Sequence, residues 1–195
     1  MKVPPRLFYA RDTVDVAKDL LGKQLVRRIG QKTISGIITE TEAYRYKDDE
    51  ASHSFSGMTE RNKAMFGQVG MAYVYFTYGM HYCMNVVAKN NDNQAGAVLL
   101  RALVPKQGIN FMIKQRRTDE ISNLTSGPAK LTQALQITKK QYGEDLTKLS
   151  SLFITEGVEI KKSDIVLRSR IGIKEATDKL WNFTIRDSIS HLSQG

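Results

Sequence analysis

The segment Ile38-Thr39-Glu40-Thr41-Glu42-Ala43-Tyr44 carries two glutamates one residue apart and a tyrosine two residues further on. On a strand, alternate side chains share a face, so Glu40, Glu42 and Tyr44 are expected to point the same way. Two like-charged carboxylates beside an aromatic ring can perturb one pKa, as general acid–base chemistry requires. The same residues would also suit a solvent-facing strand side bearing idle glutamates. Their spacing along one face, roughly 7 Å, also falls in the range used by inverting glycosidases.

A second candidate is Tyr78-Gly79-Met80, between two aromatic, β-rich arms at residues 72–77 and 81–88. The link is too short for anything but a tight turn, which predicts a β-hairpin. A rigid aromatic at its tip can wedge into a base stack while a nucleotide swings out. The unstacking cost is offset by stacking the extruded base on other aromatic faces. Tyr73 and Tyr82 read as ordinary sheet tyrosines, whereas Tyr78 at the tip does not. Arg101 ends the apolar run Ala97-Val98-Leu99-Leu100, so its charge needs a carboxylate or water. That pairing could equally be a structural ion pair. His53 lies in a polar loop where an idle, exposed histidine is the default. His81 and Cys83 have no second pair at zinc spacing, so no metal is expected. One cysteine cannot build a Pro-Cys-x-x-Cys segment, and no Walker or dinucleotide glycine loop is present; no cofactor is expected.

The elements that must position these groups follow from local pattern. Thr13 is expected to cap a short helix whose Val14, Ala17, Leu20 and Leu21 share a face, with Gly22 as its stop. Strands are predicted at 23–28 and 33–44 around a turn at Gly30. A polar loop over 45–58 leads to a short helix at 60–66, then the hairpin. A buried strand is expected at 97–104, a helix with a basic end at 109–117, and a helix at 129–137 behind Ser126-Gly127-Pro128. Short strands at 158–160, 165–170 and 180–185 close the chain. Strands without regular helical crossovers predict an α+β domain, residues 1–195, with a curved, mostly antiparallel sheet, surrounding helices and a protruding hairpin.

The chain has 195 residues, enough for one substantial core. Its 29 Lys+Arg against 20 Asp+Glu leave a net charge of +9, which favours a polyanionic partner. Residues 67–88 lack any charged side chain. Yet Tyr73, Tyr75, Tyr78, Tyr82, Thr77, His81 and Asn85 lie within that stretch, so a membrane span is rejected. One cysteine and the lack of an apolar leader near Met1, Pro4 and Pro5 predict a cytoplasmic setting.

These segments together resemble the alkyladenine (3-methyladenine) DNA glycosylase family, the type with its own α+β fold and no helix-hairpin-helix. The resemblance rests on Thr41-Glu42-Ala43-Tyr44, Ala51-Ser52-His53-Ser54, Thr59-x-Arg61-Asn62-x-x-Met65-Phe66-Gly67 and Tyr73-Val74-Tyr75-x-x-Tyr78-Gly79-Met80. It continues through Cys83-Met84-Asn85, Val98-Leu99-Leu100-Arg101-Ala102-Leu103, Ser126-Gly127-Pro128-Ala129-Lys130-Leu131 and Arg170-Ile171-Gly172-Ile173. It spans about residues 38–185, and no key position departs from the pattern; only 89–94 looks like a variable surface insertion.

The resemblance implies a monomeric enzyme acting on double-stranded DNA that contains damaged purines. In a bacterial cell it would be cytoplasmic and associated with the nucleoid. Glu42 would activate the attacking water and Arg101 would help hold it. Tyr44 would stack on one face of the flipped base, with His53 and Tyr75 on the other. Tyr78 would be the wedge, entering from the minor groove, and Asn85 would crowd a guanine amino group. Arg61, Lys114, Arg116, Arg117 and Lys130 are candidate phosphate contacts. Two other readings stay open at this point: a non-catalytic duplex-binding module, and a carbohydrate hydrolase using Glu40 and Glu42.

Overall fold

The structure, a computed structural model, describes residues 1–77 and 79–186. Helices α1 (Arg6–Tyr9) and α2 (Thr13–Asp19) precede strands β1 (Gln24–Ile29) and β2 (Lys32–Arg45). Helix α3 (Lys63–Phe66) leads to β3 (Ala72–Thr77), β4 (His81–Val87) and β5 (Gly96–Gln107). Helices α4 (Ile109–Arg116) and α5 (Pro128–Ala134) follow, then β6 (Leu152–Thr155), β7 (Ile165–Arg168) and β8 (Asn182–Ile185). All pairings are antiparallel, in the order β3-β4-β5-β2-β1-β6, with β8 pairing both β2 and β7. This is the expected α+β class.

Strand β2 organises the sheet. One edge runs along β5 from Ser35 to Arg45, while the other is divided: β1 takes its first half and β8 pairs with Glu40, Thr41 and Glu42. Register shifts against β5 fall beside Gly36 and on both sides of Glu40. Bulges of this kind bend a strand and re-aim side chains, so the sheet curls where the glutamates sit. Alternation then sorts the residues: Thr41 donates to the Ala17 carbonyl at 2.8 Å, and Ala43 joins the main core, on the α2 side. Glu42 and Tyr44 face the other way.

The main core joins α2, the sheet and α5 through Leu20, Leu25, Ile38, Leu100, Leu131 and Phe183, all fully buried. Burying each such side chain contributes about 1.5–3 kcal/mol. A second cluster, Met65, Tyr73, Val87, Ala95 and Ala97, lies apart from it, and Tyr44, Tyr46 and Tyr75 pack against it. That cluster supports the aromatic wall described below.

Several boundaries differ from expectation. Asp12, not Thr13, caps α2, its carboxylate accepting the Val14 N–H at 2.8 Å; Thr13 is fully buried and donates to the Ala88 carbonyl. The segment 158–160 is not a strand, because Val158 is exposed and Gly157 lies so close to Gly22 that a Cβ would meet its carbonyl at 2.2 Å. Instead the buried run Leu152–Thr155 pairs with β1. The helix expected at 60–66 is only the four residues of α3, and α5 begins at Pro128 and ends at Ala134. Residues 72–77 and 81–87 do form the two arms of a hairpin, with Phe76 and Met80 exposed near its tip. Tyr78 itself lies outside the described residues. No helix among those described is long and apolar enough to cross a membrane.

Candidate active site

Strand alternation carries Glu42 to a position just beneath a cavity of about 420 Å³. The carboxylate is fully buried, which is costly unless its lone pairs are met. Four donors meet them. Oε2 accepts from Tyr44 Oη at 2.8 Å and from Arg101 Nη1 at 3.2 Å. Oε1 accepts from the Ile171 backbone N–H at 2.7 Å and from Asn182 Nδ2 at 3.0 Å. Tyr44, Arg101 and Ile171 line the cavity, so Glu42 sits one layer beneath its surface, behind them.

Arg101 sits on β5, across from the β2 glutamates. Its Nε donates to Glu40 Oε1 at 2.9 Å while Nη1 reaches Glu42. Asn182 on β8 also bridges the two, donating to Glu40 Oε1 at 2.7 Å. Burial alone would lower the Arg101 pKa, but the Glu42 and Glu40 charges outweigh it and raise it. Glu40 and Glu42 thus share a face as expected. They also share an amide and a guanidinium, which leaves no space between them for a substrate.

Tyr44 turns its ring into the cavity and its hydroxyl onto Glu42. Burial, reinforced by the Glu42 charge and hydrogen bond, raises its pKa, so the phenol remains a neutral donor. The same cavity is lined by an aromatic cluster. His53 meets Tyr75 edge-on at 4.7 Å, its Nδ1 lies 3.2 Å from Tyr73 Oη, and Tyr73 and Tyr75 lie 5.4 Å apart. Burial and then the nearby Arg61 charge push the His53 pKa below its ordinary value. Asn85, buried on β4 opposite Tyr73, donates to the Tyr73 carbonyl at 3.0 Å and borders the cavity. The loop bearing His53 is held by Asn62, whose Nδ2 donates to the His53 carbonyl at 2.6 Å and to Gly57 at 2.9 Å.

The structure therefore brings together Glu42, Arg101, Tyr44, His53, Tyr75 and Asn85. Of the candidate phosphate contacts, Arg61 stands over the Tyr75 ring at 5.4 Å and lines the cavity. Lys130 bonds Asn123 and Ser126, and Arg116 bonds Leu124 and Gln133, so both are engaged within the protein. Lys114 borders a separate groove beside Phe111. Three contributors escaped sequence reasoning: Asn182, the Ile171 N–H, and a buried pair of Arg170 with Asp49. Asp49 sat among charged neighbours that read as a solvated loop. Arg170 and Ile171 lay in a quoted motif, the one signal that could have found them.

Comparison with known proteins identifies the family. The model of a family described as methylpurine-DNA glycosylase matches residues 7–189. A protein of Carboxydothermus hydrogenoformans, provisionally named 3-methyladenine DNA glycosylase, is 48% identical over 184 residues, 94% of this chain and 95% of its own. A relative with the same provisional name from Prosthecochloris aestuarii is 44% identical over 94% of this chain and 88% of its own. One from Francisella tularensis is 48% identical over 91% of this chain and 92% of its own.

Proposed function

Because this chain belongs to the methylpurine-DNA glycosylase family, it is a DNA glycosylase, and we propose that it acts on alkylated and deaminated purines in double-stranded DNA. In this reading it flips the damaged base into the cavity and hydrolyses its bond to the sugar with water activated by Glu42. The product is an abasic site. The observation that carries the reading is the buried Glu42 carboxylate, held by Arg101 and Tyr44 directly behind an aromatic-walled cavity.

The chemistry follows from that arrangement. A flipped purine stacks between Tyr44 on one side and His53 and Tyr75 on the other. An alkylated purine is cationic, which weakens its glycosidic bond and favours electron-rich ring faces. As the bond breaks, positive charge grows on the sugar, and the ionised Glu42 stabilises it across a low-dielectric gap. Glu42 already accepts four hydrogen bonds, so a water that gives it a proton takes the place of one donor. The contact most readily given up is the longest, Arg101 Nη1 at 3.2 Å, because Nε still anchors Arg101 to Glu40. Water then stands between Glu42 and Arg101, positioned for general-base attack. Asn85 crowds the place of a guanine amino group.

No amine is needed as nucleophile, so the enzyme is monofunctional, and borohydride should trap no protein–DNA adduct. The shared Asn182 and Arg101 contacts disfavour a carbohydrate hydrolase using Glu40 and Glu42, since inverting pairs stand about 6.5–9.5 Å apart to admit water. A monomeric enzyme with a nucleoid location completes the proposal. Incubation with methylated plasmid, followed by measurement of free bases and alkali-labile sites, tests it. Duplex binding without abasic sites would instead support a non-catalytic binding module.

A further inference from the structure

The Asp49–Arg170 pair is the most completely buried ion pair among the described residues, with both side chains at 0% exposure. It is a two-pronged contact: Arg170 Nη1 donates to Asp49 Oδ2 and Nη2 to Oδ1, each at 2.6 Å. Burying two charges rarely stabilises a fold more than apolar packing would, so such a pair calls for a reason beyond stability. Its position supplies one. The Arg170 guanidinium lies 4.7 Å from the centre of the Tyr44 ring and 5.3 Å from that of Trp181. Nη1 also donates to the Ala43 carbonyl at 2.9 Å, one residue before Tyr44. The next residue, Ile171, gives its N–H to Glu42. Asp49 opens the loop that carries His53 and also accepts the Arg45 N–H at 3.1 Å. One pair thus ties together the base platform, the carboxylate and the aromatic cluster.

We propose that the buried Asp49–Arg170 pair is a positioning element that sets the Tyr44 ring and the Ile171 N–H, and that its charge balance lets Tyr44 accept a cationic base. The inference rests on the glycosylase reading above. Tyr44 borders the cavity, while Arg170 does not and is buried; the guanidinium therefore covers the ring face turned away from the base. A base stacked on the open face would lie about 8 Å from the Arg170 charge, close enough at low dielectric to feel it. Asp49 cancels that charge. The pair is thus neutral toward cationic alkylpurines and toward neutral bases alike.

The test is single-turnover excision at pH 6 from duplexes carrying 7-methylguanine, which is cationic at that pH, or hypoxanthine, which is neutral. Asp49→Asn leaves Arg170 uncompensated and should lower the cationic-to-neutral rate ratio by about tenfold. Arg170→Gln leaves the carboxylate and should raise that ratio. The double variant should return it to the wild-type value, and Arg170→Lys should slow both substrates without moving it. A merely structural role slows both lesions together. Folded single variants with an unchanged ratio, or one moving the same way in both, would overturn the inference. If one single variant fails to fold, the direction seen in the other decides. Failure of the wild type to release either base would sink the glycosylase reading itself, and the inference with it.

Discussion

Tyr44 donates its phenol to Glu42 Oε2 at 2.8 Å, so the proposed base platform and the carboxylate behind it form one mechanical unit. Tyr44→Phe keeps the ring and removes this donor. A hydrogen bond to a charged group contributes about 1.5–3 kcal/mol, so the excision rate should fall roughly ten- to a hundredfold. Lesion-duplex affinity should stay nearly unchanged. Rapid-quench kinetics beside equilibrium binding would show it, and a large loss of affinity with an intact rate would refute the assignment.

Glu42→Gln keeps the shape of the side chain while removing its charge and its basicity. Base release should drop by about 100- to 10,000-fold, the usual contribution of a general base, with lesion binding retained. Measurable turnover near the wild-type rate would end the proposed role.

His53 gives a pH dependence whose sign follows from its lowered pKa, caused by burial and then by Arg61. The unfolded chain protonates this imidazole first as pH falls. The stabilisation it contributes is therefore complete above its ordinary value of 6.5 and is lost as pH falls from there through the lower folded value. Urea midpoints measured at pH 7.5 and 5.5 should differ more in the wild type than in His53→Gln. Equal differences would show that His53 does not titrate in this way.

Asn85 is fixed by its bond to the Tyr73 carbonyl at the cavity edge. Asn85→Ser shortens that side chain and should permit release of undamaged guanine, detectable by chromatography of bases freed from normal DNA. A background identical to that of the wild type would remove Asn85 from specificity.

The family resemblance makes Tyr78, in the sequence Thr77-Tyr78-Gly79, the wedge. Tyr78→Ser should weaken base flipping more than it weakens non-specific binding. A fluorescent base analogue opposite thymine reports the difference. Equal fluorescence with both proteins would count against a wedge.

Local pattern made half of this site legible. Period-two alternation on β2 predicted Glu42 and Tyr44 on one face, and the charge ending the apolar run on β5 required a carboxylate or water for Arg101. These are short-range consequences of strand geometry and the cost of an unpaired charge. The hairpin arms were equally visible, because three residues cannot join two strands in any other way. Helix ends were less so: Asp12 and Thr13 are both good caps, and packing of Thr13 against Ala88 decided between them.

The rest had no local signature. Asp49 and Arg170 are separated by 121 residues, Glu42 and Ile171 by 129, and Glu42 and Asn182 by 140. Composition, spacing and periodicity carry no information about such pairings. They arise because β2 bends at Glu40 and leaves the second half of one edge for β8, which brings in the C-terminal donors. The residues themselves named the candidate groups and predicted the strand face they share. Only the curled, bulged sheet decided which donors would meet the buried carboxylate, because satisfying a charge out of water requires partners from wherever the chain can supply them.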